Sequence, residues 1–169
     1  GAESGNGWMR PEDPDNELLH LSRRTRLVLR LPKQRIADAQ ALVGQVMDVD
    51  GHRLEIGEAA EKRFIHNAVM FSRYVITDTE DENAFLEYVA AELANLDVGV
   101  RKLMGGKLHQ LRFPDGPILT RSVMVADLEP EESVRLQQQG IGPGRHYGCG
   151  LFLPHKGIKA VHEMTADKK

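Results

Sequence analysis

The residues best placed to do chemistry lie near the end of the chain. There Gly140-Ile141-Gly142-Pro143-Gly144-Arg145-His146-Tyr147-Gly148-Cys149-Gly150 sets five glycines around an arginine and a histidine. Glycine tolerates positive φ and close backbone approach, and successive bare amides can cradle phosphate oxygens. Arg145 and His146 at the tip suit an anion. A dinucleotide fingerprint fails, because G-x-G-x-x-G counted from Gly140 ends on Arg145. The context fails too: this run follows a helical pattern and opens a strand, the reverse of a Rossmann loop. No G-x-x-x-x-G-K-[ST] occurs. The residues alone leave two readings, a wide turn after a helix or a contact for a phosphate-bearing ligand. Five glycines exceed what one helix cap requires.

Two further clusters are basic. His20, Arg24, Arg26 and Arg30 occupy alternate positions of a strand-like run, a spacing that can follow an RNA backbone or simply form a solvated face. Arg101, Lys102, Lys107, His109 and Arg112 sit on a hairpin-like segment broken by Gly105-Gly106, which could grip the base of an RNA stem. Of the seven histidines, none makes H-E-x-x-H or another tight ligand spacing, so no metal or other cofactor is expected. Histidine suits general-base work near neutrality. His20, beside arginines, and His146, in the loop tip, have the surroundings for it, and each would equally serve as a phosphate or structural contact. Aromatic residues make up only 5% of the chain, which argues against a stacking platform for single strands.

The elements that must position these groups follow two cycles. Residues 1–17 read as a loop or linker, rich in Gly, Glu, Asn and Pro. Leu18 to Leu31 alternates like a strand and stops at Pro32. Lys33 to Val46 has helical spacing, and a short strand, His52 to Ile56, follows the Asp50-Gly51 turn signal. The second cycle runs strand (Val69 to Thr77), helix capped by Asp78 or Thr79, hairpin (Val100 to Phe113), strand (Ile118 to Leu128), helix from Pro130 to about Gln139, glycine loop and last strand (Leu151 to Pro154). That order is the ferredoxin-like split βαβ. The fold class expected is therefore α+β, with tandem ferredoxin-like (RRM-like) domains. Residues 18–60 are the remainder of the first, which lacks its opening strand and helix, 61–158 form the second, and 159–169 are a polar tail. Together with a start at Gly1, this suggests a piece preceding the chain.

The totals set the compartment. The chain is 41% hydrophobic and 28% charged, suited to a globular protein with a core, and no apolar run approaches a membrane span. A lone cysteine, Cys149, fits a reducing cytoplasm. A net charge of −3 means that any RNA surface is a local patch set against acidic surface elsewhere.

The loop also resembles a known pattern. Proteins of the RAMP superfamily end in G-h-G, five residues with a basic one among them, then G-h-G, where h is apolar. Gly140-Ile141-Gly142 and Gly148-Cys149-Gly150 flank a five-residue stretch carrying Arg145. The wider run from Val125 to Ile158 and the stretch from Thr25 to Ile36 resemble the repeat-processing endoribonucleases that form the sixth family of Cas proteins, MYXAN subtype. The resemblance implies recognition of a CRISPR repeat stem-loop and metal-independent cleavage by attack of a ribose 2′-hydroxyl, usually with a histidine base. It implies retention on the guide RNA beside other Cas subunits. RNA contacts are then expected from Arg24, Arg26, Arg30, Arg101, Lys102, Lys107 and Arg112, and from Gly142, Gly144, Arg145 and Gly148 of the loop. The family's histidine commonly lies near the N-terminus, in a helix after the first strand, and carries over to no residue of this chain. A guide-RNA subunit without catalysis and an enzyme for a small phosphorylated ligand are the alternatives.

Overall fold

The computed structural model describes residues 26–49, 51–113 and 115–155, and the backbone of 3–4 and 8–9. The chain divides into two compact units, Gly1–Glu61 and Lys62–Lys169. No described helix is long and apolar enough to cross a membrane.

In the first unit, β1 (Glu3–Ser4) pairs antiparallel with β2 (Trp8–Met9), inside the stretch expected to be loop. Of the strand expected over Leu18 to Leu31, residues 18–25 lie outside the described residues, and residues 26–31 form neither helix nor strand. Leu27 and Val28 are 81% and 73% exposed, so alternation here buries no face that could fix a register. The helix expected over Lys33 to Val46 is shorter. A 3-10 turn (Lys33–Arg35) leads into α1 (Ile36–Gln40), and Gly44 at φ 82° closes the turn that follows. Val46 onward is instead β3 (Val46–Val49), paired with β4 (His52–Glu55). Gly51, at φ 77°, donates its amide to Asp48 Oδ1 at 3.0 Å as the chain turns between them, and Asp50 lies outside the described residues. No described side chain of this unit is buried.

The second unit has a core. Its elements are β5 (Met70–Ile76), α2 (Glu82–Asn95), β6 (Lys102–Phe113), β7 (Gly116–Ala126), α3 (Pro130–Gln139) and β8 (Leu153–Pro154). The sheet order is β6-β7-β5-β8, antiparallel throughout, which is the ferredoxin-like arrangement expected. Both helices pack on one face, where Phe85, Val89 and Leu93 of α2 and Leu136 of α3 meet Met70, Val75, Val123 and Val125 of the strands. Two local expectations change. The helix cap is Asp81, whose Oδ1 accepts from the Ala84 amide at 2.7 Å, because Thr77 and Thr79 hold the preceding residues in hydroxyl-bonded turns. Val100 to Phe113 is no hairpin. It is one strand with its ladder interrupted by a bulge between Gly105 and Leu108, and the chain reverses after Phe113. Arg121 pins the bulge from the core side. Its guanidinium, 5.8 Å over the Phe85 ring, donates to Gly106 O at 3.0 Å and to Glu80 O at 2.6 Å.

Candidate nucleic-acid interface

The glycine loop is a narrow double-backed segment with a buried stem and an exposed tip. In the stem the Ile141 amide donates to Gly150 O at 3.0 Å, drawing the two G-h-G triplets together. Both apolar h residues point inward: Ile141 is 1% and Cys149 0% exposed. Burial pushes the Cys149 thiol up, as suits a neutral core residue. The Gly150 amide donates to Tyr74 O at 2.6 Å, joining the stem to β5. All five glycines have positive φ, between 62° and 86°. Close approach is just as binding: a Cβ on Gly150 would sit 1.9 Å from Ile141 O, and one on Gly144 would sit 2.6 Å from Ile76 Cδ1.

Two of the glycine amides are taken up inside the protein. The Gly142 amide donates to Glu92 Oε2 at 2.9 Å, and the Gly148 amide to Arg145 O at 3.0 Å. Cys149 donates to Gly144 O at 3.1 Å. The amides of Gly142 and Gly148 are therefore engaged within the protein, and the tip presents the side chains of Arg145 and His146. Arg145 and His146 are exposed there. The His146 ring lies 3.9 Å from the Tyr147 ring, which also meets Phe113 edge-on at 4.9 Å, so the end of β6 leans on the loop. Tyr88 and Glu92 of α2 back the stem. Burial pushes the Tyr88 hydroxyl up, Glu92 adds to the shift and Arg145 opposes it. Sequence reasoning misses Tyr88 and Glu92, since they reach the loop from about fifty residues away with no local signal.

Within the second unit the other basic residues differ in their surroundings. Arg101 is engaged within the fold: it pairs with Glu132 Oε2 at 2.7 Å and donates to Asp127 O at 3.2 Å. Lys102 and His109 share the sheet face away from the helices, Arg112 lies in register with the opposite face, and Lys107 sits in the bulge. In the first unit Arg26 is exposed and Arg30 half-buried, while His20 and Arg24 lie outside the described residues. Among the described residues no three of His, Cys, Asp and Glu are grouped to hold a metal ion.

Set beside known proteins, the chain matches the family model described as "Cas6 Crispr" over residues 1–157. It is a member of the Cas6 family. The CRISPR-associated endonuclease Cas6 of Myxococcus xanthus (strain DK1622) is 33% identical over 139 residues, which is 82% of this chain and 60% of that protein. The chain thus spans about three fifths of the length of this Cas6 relative. The crystal structure of Cas6e from Escherichia coli str. K-12 overlaps 62% of this chain and 69% of its own at 16% identity and a TM-score of 0.37, too distant to inform the site. In this Cas6-family chain the loop keeps both G-h-G triplets and the basic residue between them. It builds a buried stem that carries an exposed, basic and aromatic tip.

Proposed function

We propose that this Cas6-family chain binds a CRISPR repeat stem-loop and takes part in cutting precursor CRISPR RNA into guides. The observation that carries the proposal is the loop tip, where Arg145 and His146 stand exposed on a stem otherwise sealed into the core. Arg145 can give a phosphate a charge-assisted, bidentate bond. In the metal-independent reaction a ribose 2′-hydroxyl attacks the adjacent phosphate as a base takes its proton. The 5′-oxygen leaves with a proton from an acid, giving a 2′,3′-cyclic phosphate and a free 5′-hydroxyl. His146 is the candidate base among the described residues, and Arg145 would balance charge on the phosphorane. The product stays bound, and the chain acts in the cytoplasm as one subunit among other Cas proteins of a guide-RNA complex.

A subunit that holds guide RNA without cutting it is the second reading, favoured by the close packing of His146 on Tyr147. The alternative of a small phosphorylated ligand loses its main support, since the amides of Gly142 and Gly148 already have partners inside the protein. Incubating the full-length protein with repeat RNA in EDTA separates the three. A cyclic-phosphate product supports cleavage, tight binding with intact RNA supports the second reading, and no binding rejects both.

A further inference from the structure

Two side chains of α2 reach the glycine loop. Tyr88 and Glu92 are four residues apart and so share one face of the helix. The ring of Tyr88 packs against the core of the second unit, and its hydroxyl lies 2.8 Å from where a Cβ on Gly142 would sit. One Glu92 oxygen, Oε2, accepts from the Gly142 amide at 2.9 Å. Among the described residues neither the other Glu92 oxygen nor the Tyr88 hydroxyl has a hydrogen-bond partner. Both side chains are half-buried, so each stays within reach of a ligand at the loop. Arg145 folds back toward them. Its Cδ lies 3.3 Å from where a Cβ on Gly140 would sit, and Gly140 is at most about 7 Å along the backbone from Gly142. Burial pushes the Tyr88 hydroxyl up, with Glu92 and Asp78 adding and Arg145 opposing, so it is a neutral donor near pH 7.

The chemistry of these three groups limits their ligand. A phosphate oxygen accepts hydrogen bonds and so does a carboxylate, so a phosphate suits Arg145 and is repelled by Glu92. What sits between Tyr88 and Glu92 must accept from one and donate to the other. A ribose 2′-hydroxyl does both, and in RNA it stands beside the 3′-phosphate of its own nucleotide. One nucleotide can then place its phosphate on Arg145, accept from the Tyr88 hydroxyl and donate to the open oxygen of Glu92. DNA offers the phosphate alone.

We propose that Tyr88 and Glu92 form a ribose 2′-hydroxyl site beside Arg145, at which the protein tells RNA from DNA. The proposal rests on the RNA-binding reading above and deepens it. Arg145 supplies affinity for a phosphate backbone of either kind, and α2 supplies the selection for ribose. The site holds its ribose for recognition, and no bond is made or broken there.

The test measures binding of the full-length protein, at one salt concentration, to repeat stem-loop RNAs that each carry a single 2′-deoxy nucleotide. In the wild type one position outside the cleavage site should weaken binding about threefold to tenfold, as for one neutral hydrogen bond. Tyr88→Phe, which removes only the hydroxyl oxygen, should bind that RNA and its all-ribose parent equally. Glu92→Gln, whose amide carbonyl still accepts from Gly142, should lose most of the penalty too. Each penalty is a ratio within one variant, so a general loss of affinity or stability does not imitate it. A wild type indifferent to every deoxy substitution overturns the site and leaves the loop reading intact. So does the wild-type penalty persisting in Tyr88→Phe or in Glu92→Gln. A penalty that follows the base at that position instead of its ribose overturns the site as well. A wild type that binds no repeat RNA overturns the RNA-binding reading, and the site falls with it.

Discussion

The stem and the tip of the glycine loop use similar residues for opposite ends. In the stem, Gly140, Gly142 and Gly150 let two backbones and a helix come closer than any Cβ allows, and the apolar residue of each triplet drops into the core. In the tip, Gly144 and Gly148 bracket a single 3-10 turn (Arg145–Tyr147) in left-handed conformations, and every residue of that turn is exposed. The stem contributes to folding, and recognition is the part proposed for the tip. A glycine-rich motif is thus no single signal: most of its glycines record close packing, and Gly148 only a torsion.

The largest effect should come from setting those two kinds of glycine against each other. Gly150→Ala drives a methyl into Ile141 O at positive φ, and we expect a loss of about 3–5 kcal/mol in chemical denaturation. Gly148→Ala meets nothing within 4 Å and bears only the torsional cost at φ 86°, about 1 kcal/mol. Equal losses would erase the distinction between stem and tip.

Next in size is Arg145→Ala. One charge-assisted contact is worth roughly 1.5–3 kcal/mol, so repeat-RNA affinity should fall about tenfold to a hundredfold while the melting temperature barely moves. Wild-type affinity at moderate salt would reduce the tip to a turn.

The smallest effect sharpens the contrast with a cation that is already engaged. Arg101 holds Glu132 well below the usual carboxylate range, at about 2, with help from the amides of Glu129 and Gly99 and against the cost of burial. A carboxylate depressed in the folded state stabilises fully above its ordinary value near 4.5, and that contribution disappears as pH falls toward 2. Glu132→Gln should flatten stability against pH within that window. At neutral pH it should leave repeat-RNA binding unchanged, and an unaltered acid profile would show that the pair is idle.

Much of the second unit was legible because its patterns are local. Pro130 opens α3 and Gly140 ends it where expected, and the 3.6-residue spacing of Phe85, Val89 and Leu93 found the buried stripe of α2. β6 was misread for a definite reason. Leu103 and Leu108 both face the core, yet they are five residues apart, since the bulge inserts one residue and inverts the alternation. A period-two search splits such a strand. In the first unit, Val46 to Val49 fits the end of a helical stripe as well as a strand, and only its ladder with His52 to Glu55 decides. At the candidate site, Arg145 and His146 were visible from the motif itself. The engagement of Arg101 with Glu132 and the support from Tyr88 and Glu92 were not, because contacts 31 and 50 residues apart leave no mark on local sequence.

The Gly105-Gly106 bulge has a bearing on solubility. β6 lies at the border of its sheet and is twelve residues long, whereas β8 at the other border has two. A straight edge of that length exposes a row of unpaired amides and carbonyls, a template on which another chain can add as a strand. The bulge twists and bends that edge midway, and Lys107 places a charge at the bend. Removing one of the two glycines would leave Leu108 opposite Arg121 and Leu103 opposite Val125, so the core would keep its pairing. What it would create is a continuous flat edge, a nucleus for intermolecular sheet growth.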